Sequence, residues 1–144
     1  MRRLRNQKGA ALLETAITLP LVLLVCVSVF EFGRAYQTWQ VLTNAAREGA
    51  RVAILSSSTD AQVTSAVVAY MKSGQLPQDR VAAAAIAVER TVPFAASNTA
   101  SRVTVSYPFK FTVLNPVMRL VKANATAGQG TTTMVSVAMM RNES

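Results

Sequence analysis

Catalysis needs side chains that attack, shuttle protons or hold ions, and this chain has few of them. Among 144 residues there is no His, one Cys and seven Asp or Glu. The missing imidazole removes every triad or zinc site built on histidine. Cys26 alone makes no internal disulfide, and no cluster has metal-ligand spacing. Gly128-Gln129-Gly130 is too short for a phosphate loop and has no following Lys. Beyond the N-terminal third the acids are Asp60, Asp79, Glu89 and Glu143, a thin set for paired-carboxylate work. The expectation is a protein that is not an enzyme, with no catalytic residue, no cofactor and no metal.

The residue whose placement does imply chemistry is Glu14. It stands inside Ala10–Phe32, AALLETAITLPLVLLVCVSVFEF, where an unpaired carboxylate is costly. Thr15–Phe30 is 16 residues without a charge, and Ala10–Phe30 is 21 residues with the single acid Glu14. At 1.5 Å per residue that helix is roughly 31 Å long, about one hydrocarbon core. A domain of this size would hardly bury a helix that is apolar all round, so a membrane span is expected. Arg2, Arg3, Arg5 and Lys8 precede it, which places that end in the cytoplasm and everything after about residue 33 outside. The net charge is +8, yet residues 10–144 carry only 11 basic against 7 acidic groups. Half the excess is therefore a terminal cluster. With no basic patch interleaved with aromatics, nucleic acid is not an expected partner, whereas membrane lipid is.

Three kinds of processing compete. A secretory signal needs small residues three and one before the cut, and Val25-Cys26-Val27-Ser28-Val29 has no such pair. Gly33-Arg34-Ala35 has one, with charges crowding it. Leu23-Leu24-Val25-Cys26 approaches a lipoprotein site, but Val25 stands where a small residue belongs. The third cuts on the cytoplasmic side, between Gly9 and Ala10. Here a basic leader ends in Gly9, Glu14 is the fifth residue after it, and an apolar helix follows. This resembles the class III signal of type IV pilins and pseudopilins.

More narrowly, Gly9–Arg51 is similar to the TadE-like family of the tight-adherence (Tad/Flp) pilus system. The matching pieces are Gly9-Ala10-Ala11-Leu12-Leu13-Glu14, Leu19-Pro20-Leu21, Glu31-Phe32-Gly33-Arg34-Ala35 and Thr43-Asn44-Ala45-Ala46-Arg47-Glu48-Gly49-Ala50-Arg51. Met140-Arg141-Asn142-Glu143 is a weaker echo of the family's C-terminal end, and Thr15 departs from the aromatic that many members carry. The resemblance implies a minor pilin or pseudopilin. A membrane-embedded prepilin peptidase would cut after Gly9. Glu14 would pair with the new amine of Ala10, its own or a neighbour's. The implied partners are that peptidase, other pilin or pseudopilin subunits and inner-membrane pilus assembly proteins. The implied setting is the inner membrane, with later incorporation in a surface pilus for attachment. The rival from another class is an unprocessed single-pass anchor whose outer domain binds an envelope partner.

The elements that must position these residues follow from periodicity. Pro20 removes a backbone donor and clashes with the carbonyl of Ala16, so a kink is expected, with Thr15 or Thr18 satisfying the freed carbonyl. It is either an ordinary kink or a section that bends in an assembled filament. Helical spacing continues past the membrane to about Leu55. Ala35, Trp39, Leu42, Ala46, Gly49 and Ala53 form an apolar stripe, a helix-packing interface within the head or toward a partner. Tyr36 and Trp39 also suit a membrane-interface belt. Glu31–Arg34 and Glu48–Arg51 read as minor i,i+3 surface pairs.

Ser56–Asp60 breaks the helix, and Thr59 or Asp60 caps a second one, Asp60–Ser73, whose expected inner face is Ala61, Ala66, Val67, Tyr70 and Met71. Gly74 suits its C′ position, and Pro77 prevents resumption. Val81–Val92 reads as a strand between Pro77 and Pro93, and Ala95–Ser101 as a loop. Arg102–Val113 alternates cleanly as a half-buried strand, with Pro108 marking an edge or break. A helical turn is expected at 115–121, a turn at Gly128–Gly130, and a last strand over Thr131–Met140 with Val135, Val137 and Met139 on one face. The whole is an α+β, pilin-like architecture: leader 1–9, membrane helix 10–32, helical stalk 33–55, and a head 56–144 with about three antiparallel strands.

Overall fold

The computed structural model describes residues 3–94, 98–112 and 131–142, with residues 3–8 and 94 by backbone alone. The turns expected at 115–121 and at Gly128–Gly130 lie outside the described residues. The molecule has the expected α+β form: a long apolar N-terminal helix whose far half packs on a small head with three antiparallel strands.

Helix α1 (Arg3–Ala53) has 51 residues and runs unbroken over Pro20, a length of roughly 77 Å. It closes in a turn through Leu55, where Ile54 and Leu55 amides still bond back to Ala50 and Val52. Helix α2 (Asp60–Ser73) has the expected bounds. Thr59 caps it: the Gln62 amide donates to the Thr59 hydroxyl, while the Gln62 side chain accepts from the Thr59 amide. This reciprocal pair satisfies two otherwise orphaned donors.

The inner face of α2 is Val63, Val67 and Met71, all fully buried. That corrects the expected row: Ala61 is exposed, Ala66 is half-buried and Tyr70 lies at the rim. Valine and methionine at i, i+4 and i+8 bury more apolar surface than the alanines, and the helix turns accordingly. The end of α2 also differs from expectation. Gly74 is the C-cap, with φ −75°, and the left-handed residue is Gln75, with φ 59°. The Gln75 amide donates to the Lys72 carbonyl and the Leu76 amide to that of Met71, a Schellman closure with Leu76 buried near Met71. Gly74 is needed for proximity: a Cβ there would stand 2.5 Å from Cγ1 of Val41 on α1.

Pro77 does not stop helix formation but starts it, as N-cap of the short α3 (Gln78–Ala82). Proline's fixed φ suits a helix entrance. Val81 is therefore helical, and buried, rather than the first residue of a strand.

The sheet has the order β1-β2-β3, with β1 (Ala85–Phe94), β2 (Asn98–Lys110) and β3 (Thr131–Arg141) all antiparallel to their neighbours. Strand β2 begins at Asn98, so the second half of the expected loop, 98–101, is strand; it pairs with the end of β1 and with Arg141 and Met140 of β3. Pro93 sits in the edge strand β1, where a missing donor is tolerated. Pro108 lies beyond Ser106, the last β2 residue paired to β1, where β3 is the one neighbouring strand among the described residues. Val103, Val105, Tyr107 and Phe109 all point into the core, as their alternation requires.

In β3 the inward residues are Met134, Ser136, Ala138 and Met140, while Val135, Val137 and Met139 share the outer face and are exposed. The β2 register decides this. Val137 pairs with outward Thr104 and Ala138 with inward Val103, so the small Ala138 faces α1 and the bulkier valines do not.

Candidate functional site

The residues expected to serve processing and assembly, Gly9, Ala10, Glu14 and Pro20, lie on α1. Gly9 is in its first three turns, exposed, with nothing within 4 Å of where a Cβ would be. A glycine inside a helix costs about 1 kcal/mol relative to alanine, so this is where the N-terminal turns unwind most readily. Ala10 and Glu14 are four residues apart and so share a helix face, with about 6 Å of rise between them. Glu14 is exposed and makes no hydrogen bond or ion pair among the described residues.

Around them every large apolar side chain from Leu12 to Val25 is at least 42% exposed. The apolar helix is therefore no soluble core. Its most apolar 18-residue window has mean hydropathy 2.3 and none of it is buried, so it is long and apolar enough to cross a membrane. At Pro20 the hydroxyls do not go where expected. Thr15 donates to the Ala11 carbonyl at 2.9 Å and Thr18 to that of Thr15 at 3.5 Å, neither to Ala16.

Along the stalk, Ala35, Leu42, Ala46, Gly49 and Ala53 turn into the head and are buried. Gly49 has a steric role there: a Cβ would fall 2.5 Å from Cγ2 of Val67 and 3.2 Å from Cγ1 of Val103. Trp39 projects from the flank and is half exposed, while the inward slot beside it is filled by Thr38. The Thr38 hydroxyl donates to the Arg34 carbonyl at 3.0 Å, which lets a polar residue be buried without an orphaned group.

Sequence reasoning underrated two clusters. The first ties α1 to the end of β2. Glu31 is buried and accepts from Arg34 Nη2 at 2.9 Å and from the Thr112 backbone amide at 2.7 Å. The same Arg34 donates to the Lys110 carbonyl at 2.8 Å and lies over the Phe109 ring, 4.9 Å from its centroid. A pair that reads as a surface i,i+3 contact is thus a clasp between elements some 80 residues apart. The available signal was an acid one residue past the uncharged run, which needs a partner there.

The second cluster closes the far end. Opposite Ser101, β1 has an extra residue between Glu89 and Val92, and such a bulge re-aims a side chain. Arg90 lies in it. Its Nη1 donates to the Ala53 carbonyl and its Nε to Asp60, joining the end of α1 to the start of α2. Asn142 donates to the Arg90 carbonyl, and the Ser101 hydroxyl donates to Asn142.

Among the described residues three titrating groups are perturbed: Glu48 and its partner Arg51, and Tyr107. Arg51 bonds Glu48 through two nitrogens, at 2.9 and 2.6 Å, and holds that carboxyl below its ordinary value against a smaller opposing effect of burial. Burial pushes the Tyr107 phenol above its ordinary value, Arg80 and Arg34 opposing and Asp79 assisting. The Tyr107 hydroxyl has no hydrogen-bond partner among the described residues.

The geometry describes an exposed apolar helix carrying Gly9 and Glu14, clasped at Glu31 to a head built on its other half. Residues 9–51 match the family model described as TadE-like protein. The match begins at Gly9 and spans the apolar segment, the clasp residues Glu31 and Arg34, and the buried stalk. No curated protein and no solved structure matches the chain.

Proposed function

We propose that this chain is a minor pilin or pseudopilin of the tight-adherence pilus system, acting in pilus assembly and surface attachment. The observation that carries the reading is the TadE-like match over residues 9–51, laid on a helix of which one half is unburied and apolar and the other half is the spine of a head. In this reading residues 1–9 are a leader, removed between Gly9 and Ala10 by a prepilin peptidase. Residues 10–32 cross the inner membrane with the leader on the cytoplasmic side. The stalk, 33–55, and the head, 56–144, stand outside. No step of chemistry is assigned to the chain itself.

Glu14 then has a defined task. An unpaired carboxylate about 6 Å inside the cytoplasmic end of the span costs less than the roughly 3 kcal/mol of the bilayer centre, yet is still penalised. The ammonium freed at Ala10, on its own helix or an adjacent subunit's, removes that penalty, so the pair favours helices docked in register. Pro20, inside the apolar half, is where such a helix bends as it packs.

The test is incorporation. A tagged chain should be recovered with sheared pili or with the other pilin subunits in the inner membrane. Glu14→Ala should still be cleaved, yet be lost from those fractions, with attachment impaired. Normal recovery and attachment of that variant would refute the assembly role of Glu14. The rival, an unprocessed anchor with a partner-binding head, gains from one observation: α1 is continuous from Arg3 through Gly9, so the helix must unwind before a protease can take an extended chain. It requires an intact Met1 end in cells that contain the peptidase.

A further inference from the structure

The clasp at Glu31 brings the end of the sheet to the level at which the apolar helix ends. Phe32, Tyr36 and Trp39 follow at i, i+4 and i+7 on one flank of α1, and are 61%, 61% and 47% exposed. The Tyr36 and Trp39 rings lie 6.4 Å apart, and Phe111, just past β2, meets Phe32 edge-on at 6.2 Å. Cations occupy the same end of the head on other sides of α1. Lys110 is exposed. Arg34 shares with Arg80 and Tyr107 a cleft of about 300 Å³, and Arg80 makes no ion pair among the described residues.

A helical side chain covers the turn N-terminal to its own Cα. The Trp39 indole therefore lies near the level of residue 35, roughly 5 Å beyond residue 32 where the span ends, and the Phe32 ring leans the same way, into the hydrocarbon edge. The polar layer outside the hydrocarbon is about 5–7 Å thick on each side. Aromatic rings with polar tips, flanked by Arg and Lys, are the composition of that layer. A second helix is a poorer occupant. Close helix–helix contacts in membranes use rows of small residues; in this stretch Ala35, Ala46, Gly49 and Ala53 are already buried in the chain's own head, which leaves the single exposed Gly33 rather than a row.

We infer that the membrane-proximal end of the head is a lipid-binding surface: Tyr36 and Trp39 are seated among phospholipid headgroups, Phe32 and Phe111 lie at the hydrocarbon edge beneath them, and Arg80 and Lys110 face the phosphates. The inference rests on the membrane reading of residues 10–32. The head is then held against the bilayer rather than on a free stalk, and its orientation is fixed before any assembly partner arrives.

The chain has one Trp and one Cys, so Trp39 and Cys26 report separately without substitutions. The full-length protein is reconstituted in phosphatidylcholine vesicles containing phosphatidylglycerol, with phosphatidylcholine brominated at shallow or deep acyl positions. Cys26, exposed on the helix surface of the isolated chain, is challenged with a membrane-impermeant maleimide. The expected result is a protected Cys26, a blue-shifted Trp39 emission, and greater loss of that emission with shallow than with deep bromines. A labelled Cys26 overturns the membrane reading and the headgroup surface with it. A protected Cys26 with water-like, unquenched Trp39 emission overturns the headgroup surface alone. So does a blue-shifted Trp39 that no brominated lipid quenches, which would mean that protein covers it.

Discussion

Removing the Glu31 carboxylate should release the end of the sheet from the stalk. In Glu31→Ala, the Thr112 amide loses its acceptor at 2.7 Å and Arg34 loses its ion pair at 2.9 Å. A hydrogen bond to a charged group is worth about 1.5–3 kcal/mol, and breaking a buried ion pair costs about 3–5 kcal/mol. The Arg34 side chain is 38% exposed, so water recovers much of its loss, and the pair sits nearer the surface value. The Lys110 carbonyl also remains available to Arg34. A net local loss of about 2 kcal/mol follows, with about 1 kcal/mol for Glu31→Gln, which keeps one acceptor. The assay is amide hydrogen exchange of the full chain in lipid discs. A local loss of 2 kcal/mol accelerates exchange at Thr112 roughly thirtyfold, whereas β2 residues paired on both sides, such as Val103 and Val105, should change little. A cycle with Arg34→Gln should show coupling of about 1 kcal/mol between the two positions. Unchanged exchange at Thr112 in Glu31→Ala, or additive effects in the cycle, would refute the clasp.

Other perturbations follow from close contacts and charge. Gly49→Ala places a methyl against Val67 and Val103; overpacking of about 1–3 kcal/mol exceeds the roughly 1 kcal/mol gained in helix propensity, so the thermal midpoint should fall. At the end of α2, Gly74→Ala should destabilise through its contact with Val41, while Gln75→Gly, relieving a left-handed non-glycine, should be neutral to about 1 kcal/mol stabilising; paired unfolding curves check both. The Glu48 carboxyl is held below its ordinary value of 4.5 by Arg51, so its stabilising effect is present above that value and fades as pH falls through the lowered one. Glu48→Gln should therefore lower the unfolding midpoint slightly at neutral pH and not at strongly acid pH, and a gap that persists in acid would contradict the assignment.

Much of this architecture was legible because local signals agreed. The bounds of α2 follow from the hydroxyl run ending at Thr59 and Asp60 at one end and Gly74 at the other, and the centre of β2, though not its start at Asn98, from the strict alternation of Val103 through Phe109 with polar residues. Short-range chemistry sufficed in both. What stayed hidden depends on partners distant in the chain. The outward turn of Val135, Val137 and Met139 is set by pairing with β2, not by their hydrophobicity. Glu31 looks like one half of a surface pair until Thr112 arrives from 81 residues away. Asn142, in the short C-terminal echo, gains meaning only when it meets Ser101 and the carbonyl of Arg90. Pro77 carries two local meanings, a stop for one helix and a start for the next, and only packing of Val81 selects the second. In the candidate site, the placement of Gly9 and Glu14 on one long apolar helix was readable from composition, and the burial of Ala35, Leu42, Ala46, Gly49 and Ala53 from their period. The flank position of Trp39 was not, because burial of Thr38 depends on a hydroxyl bond back to Arg34.

The central claim is that Gly9 is the end of a removable leader. Intact mass and N-terminal sequence of the chain, produced with and without a cognate prepilin peptidase, test it directly. The account predicts an N-terminus at Ala10 only when the peptidase is present. Met1 retained under both conditions would contradict it and leave a basic-flanked membrane anchor with a partner-binding head.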